Sequence, residues 1–294
     1  MLVRFGLTVT MCSVLTGESG AVVGHLLEDE GITVVAIRRD GRASTYIHDR
    51  RGDDRDVFAE EIGEPLGRHE LDELYSATVS EALRSKLVIL SGPVGEDALP
   101  ADTYRRLAAD LRQAGCRVVV DLAGDRLAAA VKGGVDVLKV SDEELQAAGL
   151  LRDDSLSAMM ATMQDLRKQG AETVIVTRAS EPLLLLDEDG FLEVTPPEMQ
   201  VTDTRGAGDS LTAGVVAGLA QNESARNAVT LGAAAGALNV TRHGLGTGDP
   251  EAIRRLRETV RTRSVAPETN ASPAVTERVS PDELATLADP EDPS

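Results

Sequence analysis

The chain has no tryptophan and only three tyrosines and three phenylalanines among its 294 residues. That scarcity argues against a surface that stacks nucleic-acid bases, and it leaves Ala, Val and Leu to fill the core. Cysteine is equally scarce. Cys12 and Cys116 stand in apolar surroundings with neither CxxC nor Cys/His spacing, a pattern of buried thiols in a reducing compartment rather than of a disulfide framework or a zinc site. His25, His48, His69 and His243 show no ligand spacing either, so no metal site made of histidines is expected. Basic residues are outnumbered, 30 against 49 acidic ones, for a formal net charge of −19; such a balance repels nucleic-acid backbones and anionic lipids. Long apolar runs are missing too, and Met1 to Cys12 lack the basic start, apolar block and cleavage site of a secretory signal. A cytoplasmic protein with no membrane or nucleic-acid partner is expected.

What is present is a hydrophobic fraction of 42%, enough for one sizeable core, distributed in short apolar runs that alternate with helical patterns. Leu7–Cys12 and Val34–Ile37 read as strands on either side of a helix from Ser19 to Glu30 that stops at Gly31. Leu87–Leu90, Val118–Asp121, Val135–Val140 and Thr173–Thr177 are continuous apolar segments, with amphipathic helices around Asp102–Ala114, Asp142–Ala148 and Ser155–Gln169 between them. Apolar strands separated by helices predict an α/β fold with a mainly parallel sheet covered on both faces. Residues 44–59 differ: two alternating segments flank RRGDDR, whose glycine and aspartates suit a hairpin turn. That hairpin is either a lid or an ordinary sheet edge. The organisation expected is an α/β core over 1–37 and 60–263, a β-hairpin over 38–59, and an acidic tail over 264–294 whose Pro, Ser, Thr and acidic residues predict disorder.

Residues 203–210 read DTRGAGDS and lead directly into LTAGVVAGLAQ, a helical stretch. Gly206 and Gly208 let the backbone turn where side chains would clash, leaving the amides of Gly206, Ala207, Gly208 and Asp209 to aim at one point. The positive end of the helix dipole favours an anion there, a phosphate oxygen above all. Asp209 beside a bound anion is an electrostatic misfit unless it takes a proton from an attacking hydroxyl. The competing reading of the same residues is an ordinary turn with Asp209 as a stabilising acid of the first helical turn.

The whole octamer resembles the DTxGAGD signature of the ribokinase-like, or PfkB, family of sugar kinases. TGESG at 16–20, SGP at 91–93, VVVDLAG at 118–124 and GAAAGALNVTRHGLGTG at 232–248 are similar to further family segments, and VDVLKVSDEEL at 135–145 is similar to one of the 1-phosphofructokinase and tagatose-6-phosphate kinase branch. The resemblance implies a three-layer α/β/α fold with a small β-hairpin lid that closes over a sugar and excludes water. It also implies ATP and Mg2+ as cofactors, Asp209 as the catalytic base, and Gly206, Ala207 and Gly208 as the anion hole. Carried over by position, Lys139, Thr177, Asn239 and Gly244 would contact ATP and Glu144 would hold magnesium through water, while Arg42 is an available cation for a substrate phosphate. By residue type alone, Lys139 is a strand-end surface residue, Glu144 a solvated first-turn carboxylate, Asn239 a packing residue with a satisfied amide, and Gly244 a turn former.

The chain departs from the family pattern at Ser141, where Asn is usual, and at Ala179 and Pro182, where glycines are usual. It departs most at its start, where the family's opening strand with its sugar-binding Asp and its GGxGxN segment have no counterpart; an upstream start or a loss of activity is expected on that account. The expected function is ATP-dependent phosphorylation of a hydroxyl, in particular a hydroxymethyl group, of a sugar or sugar phosphate. A homodimer through open lid edges is the expected assembly. The alternative is a catalytically degenerate relative that binds nucleotide or sugar phosphate and acts through a partner. A dinucleotide-dependent oxidoreductase ranks lower, because no GxGxxG follows an early strand.

Overall fold

The structure, a computed structural model, describes residues 1–49, 51, 56–93, 98–179 and 181–266. It opens with β1 (Thr10–Thr16), α1 (Gly17–Asp29) and β2 (Thr33–Arg39), the two strands pairing in parallel. β1 starts later than the Leu7 expected from the sequence, because the amides of Phe5, Gly6 and Leu7 turn back onto the carbonyls of Met1, Val3 and Leu2. α1 stops short of Gly31, whose φ of +81° is left-handed. Next come β3 (Thr45–Asp49) and β4 (Asp56–Glu61), an antiparallel hairpin that pairs with no other strand among the described residues. The sheet-edge alternative for this segment is thereby removed, and its second strand runs two residues past the expected boundary at 59. Of its turn, residues 50 and 52–55 lie outside the described residues.

The remaining strands build one seven-stranded sheet. α2 (Arg68–Ser85), β5 (Leu87–Ser91), α3 (Ala101–Gln113), β6 (Arg117–Asp121), α4 (Gly124–Gly133), β7 (Val135–Ser141), α5 (Asp142–Ala147), α6 (Leu156–Gln169) and β8 (Ala171–Arg178) supply its parallel half. β9 (Glu181–Asp187) and β10 (Gly190–Thr195) extend it antiparallel; then α7 (Ala207–Ala220), α8 (Ala225–Asn239) and α9 (Pro250–Arg257) cross one face before β11 (Arg261–Val265) closes the far edge. The order is β11-β10-β9-β8-β7-β6-β5, so β1 and β5 each keep one unpaired edge among the described residues. β11 takes up Ser264 and Val265, which the composition had assigned to the disordered tail; Val265 pairs with Phe191 and packs against the core. Residues 267–294 lie outside the described residues.

Period-two alternation shows how the layers form. Val118, Val120, Leu138, Val140, Val174, Val176, Leu184 and Leu186 face one cluster with α3, α4 and α6, while their neighbours Val119, Val137, Ile175, Leu183 and Leu185 face a second cluster with α7 and α8. A sheet covered on both faces needs such doubly apolar strands. Continuing the alternation puts Asp121 and Lys139 on the α7 side. Glycine sets how closely that side packs: a Cβ at Gly214 would lie 2.7 Å from the Gly232 Cα, and one at Gly236 would lie 3.1 Å from the Ala207 carbonyl oxygen. No described helix is long and apolar enough to cross a membrane.

Candidate active site

α7 begins at a sharp corner. Its N-cap, Gly206, has φ +70° and ψ 6°, a left-handed conformation that side chains resist, and a Cβ there would come within 2.8 Å of Leu245 Cδ2. The Ser210 amide donates to the Gly206 carbonyl at 2.9 Å and starts the helix, while the Ala207 amide donates to the Thr204 carbonyl at 3.3 Å. The anion hole read from the sequence therefore loses Ala207, whose N–H is consumed in tightening the turn. Among the described residues, the amides of Gly206, Gly208 and Asp209 have no protein acceptor.

Asp209 is exposed, and its carboxylate makes no hydrogen bond or ion pair among the described residues. The N-cap Gly206 has no side chain to cap α7, and Asp209 lies in the first turn, where the helix dipole favours a negative charge. Asp209 and Gly206 share the wall of a cavity of about 300 Å³ with Met1, Leu2, Val9 and Leu245. On the same wall, burial pushes the Met1 α-amine below its ordinary value.

Behind the corner lies a buried ion pair. Asp121 ends β6 and Lys139 lies beside it on β7; Lys139 Nζ donates to Asp121 Oδ1 at 3.0 Å, and Thr212 Oγ1 of α7 donates to Asp121 Oδ2 at 2.7 Å. Lys139 is only 8% exposed, and a Cβ on Gly208 would come within 3.1 Å of its Nζ. The strand-end surface reading of Lys139 is thus overturned. On β8, Thr177 is half-buried and paired with Ser141, so Asp121, Lys139, Ser141 and Thr177 all cluster towards the carboxyl ends of the parallel strands, where α/β sheets bind ligands.

The corner is held from three sides. Asn239, 1% exposed, donates through Nδ2 to the Arg205 carbonyl at 2.6 Å and accepts from Ser210 Oγ at 3.1 Å. One N–H and one lone pair of its amide are thereby committed beneath the turn, which supports the packing reading of the two given from the sequence. The Asp203 carboxylate binds the Arg205 guanidinium and lies 3.7 Å from His243 Nδ1, while the Thr202 and Asp203 amides donate to the Val240 carbonyl. The Asp203 hydrogen bonds first, and more weakly the nearby Tyr46 of β3, raise the basicity of Arg205, so the hairpin approaches the rim of the site.

Residues 1–252 match the profile of the pfkB family carbohydrate kinases. The chain belongs to that family. It is 26% identical to a 1-phosphofructokinase of Bacillus subtilis over 234 residues, 79% of this chain and 75% of that one. With a 1-phosphofructokinase of Vibrio cholerae it shares 30% identity over 159 residues, 54% of this chain, and that match spans half of the relative's length. Its fold is similar to that of phosphofructokinase-2 from Escherichia coli, with a TM-score of 0.78 and 22% identity over 88% of this chain and 84% of the other.

Within this pfkB fold the remaining expected site residues are placed unevenly. Glu144 is half-buried at the start of α5 and forms a reciprocal cap with Ser141: its Oε2 accepts from the Ser141 amide at 2.8 Å, and its own amide donates to Ser141 Oγ at 3.1 Å. One carboxylate oxygen is committed to the cap, and the other has no protein partner among the described residues. Gly244 takes φ +108° in the loop after α8, with Thr247 as its nearest neighbour. Arg42 is 74% exposed and pairs with Glu61 at 2.8 Å across the base of the hairpin. Ala179 occupies φ +40° beside a register shift after Val176, which is where a glycine was missed. Thr212 escaped the sequence reading, and Asp121 entered it only as the end of a strand and part of a family segment, with no site role; the available signal was a carboxylate closing an otherwise apolar buried strand.

Proposed function

We propose that the protein transfers the terminal phosphoryl group of ATP to a hydroxyl of a sugar or sugar phosphate, with Asp209 as general base. The observation that carries this reading is that, among the described residues, the Asp209 carboxylate has no partner at a helix start whose Gly206, Gly208 and Asp209 amides also have no acceptor. An acid and a set of donors left open at one corner suit a reaction in which a proton departs from one oxygen while negative charge gathers on a neighbouring group. The bare Gly208 gives a phosphoryl group close access to the backbone, and Lys139 adds a positive charge behind it.

Magnesium, carried with the nucleotide, would neutralise phosphate charge. Magnesium bound with a nucleotide is held mainly by phosphates and waters. Glu144 would reach it through water by its uncommitted oxygen, and Thr177 at the adjacent strand end would contact the nucleotide. Gly206, Gly208 and Asp209 supply the anion-hole amides, and Arg42 the candidate cation for a substrate phosphate. The relatives named 1-phosphofructokinase make phosphorylated fructose the first acceptor to try. The hairpin exposes Tyr46, Ile47, Val57, Phe58 and Ile62 by half or more, apolar surface that a second copy of the chain would cover.

One observation favours a binding protein without turnover: Ser141, standing where the family usually has Asn, spends its hydroxyl on the α5 cap. A coupled ADP-release screen over phosphorylated sugars, run beside calorimetry with ATP and magnesium, separates the two readings. Sugar-dependent ADP release supports the kinase; nucleotide binding with no release across the screen rejects it in favour of the binding role.

A further inference from the structure

We infer that Asp121 is a positioning residue for phosphoryl transfer, holding the Lys139 ammonium against the underside of the α7 corner. The inference rests on the kinase reading above and adds to it a group that does not itself touch the substrate. One carboxylate makes both contacts: Oδ1 accepts from Lys139 and Oδ2 from Thr212. The lysine on β7 is thereby tied to the same helix that carries Asp209, three residues before Thr212.

The burial of the pair explains why the tie matters. The Lys139 and Asp121 side chains are 10% and 15% exposed, and charges so placed need a close partner. An ammonium has three N–H donors. Asp121 uses one of them, and no other protein acceptor reaches Lys139 among the described residues. The nitrogen adjoins Gly208, where only the missing Cβ leaves room, and the amides of Gly208 and Asp209 are short of acceptors as well. Spare donors on the lysine and on the backbone thus meet at one corner, and a phosphoryl group, anionic and rich in acceptor oxygens, satisfies both. Lysine is a point charge on a flexible four-carbon stem. Among the described residues, Asp121 is the acceptor that fixes where that charge sits.

The test compares wild type, Asp121→Asn, Lys139→Met and the double variant in two measurements: calorimetric binding of inorganic tripolyphosphate, and turnover with ATP and a fructose phosphate. Asp121→Asn is expected to weaken tripolyphosphate binding about tenfold, and to lower kcat more than it raises KM for the sugar phosphate. In the Lys139→Met background the same substitution should change either quantity by no more than about twofold, because Asp121 acts through the lysine. Equal losses in both backgrounds overturn the inference, as does a folded Asp121→Asn with wild-type affinity or a wild type that binds no tripolyphosphate. Should Asp121→Asn fail to fold, Thr212→Val keeps the ion pair and cuts only its tie to α7; binding about threefold weaker is expected, and unchanged binding counts against the assignment. A wild type that binds tripolyphosphate but transfers nothing from ATP rejects the kinase reading alone, leaving the binding arm to decide the role of Asp121.

Discussion

Gly214 on α7 and Gly232 on α8 meet backbone to backbone, with room for no side chain between them: a Cβ at Gly214 would lie 2.7 Å from the Gly232 Cα and 2.8 Å from the Leu231 carbonyl oxygen. The contact fixes how deeply the helix that begins at Gly206 and Asp209 seats on the sheet. Gly214→Ala gains helix propensity, about 1 kcal/mol, but forces two backbones apart, which costs more than an overpacked side chain usually does. A net loss of about 1–3 kcal/mol is expected in urea unfolding, together with reduced turnover because the corner moves with the helix. A variant as stable as wild type contradicts the packing account.

Ala179 holds a left-handed φ of +40° in the bend between β8 and β9, a conformation that costs a residue with a Cβ about 1–2 kcal/mol. Glycine removes that strain but loosens the unfolded chain by about 0.4–1 kcal/mol. Ala179→Gly should therefore stabilise the protein by about 0.5 kcal/mol or slightly more, readable as a small rise in the urea midpoint. A fall in the midpoint would show that the bend is not strained.

Glu223, in the turn after α7, receives two hydrogen bonds from Arg257 of α9, at 3.0 and 2.5 Å. Those bonds hold its carboxyl below the ordinary value of 4.5. A depressed carboxyl contributes stability that is complete above its unfolded value and disappears as pH falls through the folded one. Glu223→Gln should accordingly cost about 1–2 kcal/mol at neutral pH, and wild type and variant should converge as pH falls through the depressed carboxyl value of the folded state. Parallel stability curves across that range would mean that the ion pair adds nothing.

Much of the fold was legible because the four parallel strands β5–β8 are apolar on both faces and bounded by helical patterns. Val118–Asp121 and Thr173–Thr177 announce themselves in this way. β9 and β10 did not, since EPLLLLD and GFLEVT join without a helix and pair antiparallel. α2 was not read from the sequence although Leu71, Leu74, Tyr75 and Val79 recur at helical spacing and pack against the core beside the buried Ala82. At the site, the glycine corner was readable as a loop-to-helix junction from the residues, while the role of Asp209 came from the resemblance of the whole octamer. The Asp121–Lys139–Thr212 contact was not: it joins residues 18 and 91 positions apart, and only strand register brings them together. Asn239 carried two readings for a related reason, because an amide on a small-residue helix gives no sign of whether its partners are a ligand or a buried turn.

The central claim is that the Asp209 carboxylate removes a proton from the acceptor hydroxyl while the α7 corner holds the phosphoryl group. Steady-state turnover of Asp209→Asn, measured with ATP, magnesium and the best sugar phosphate from the screen, tests it most directly, with nucleotide affinity followed by calorimetry on the same samples. The account predicts turnover lower by about 10²-fold or more with nucleotide affinity nearly unchanged; undiminished turnover in the folded variant would contradict it.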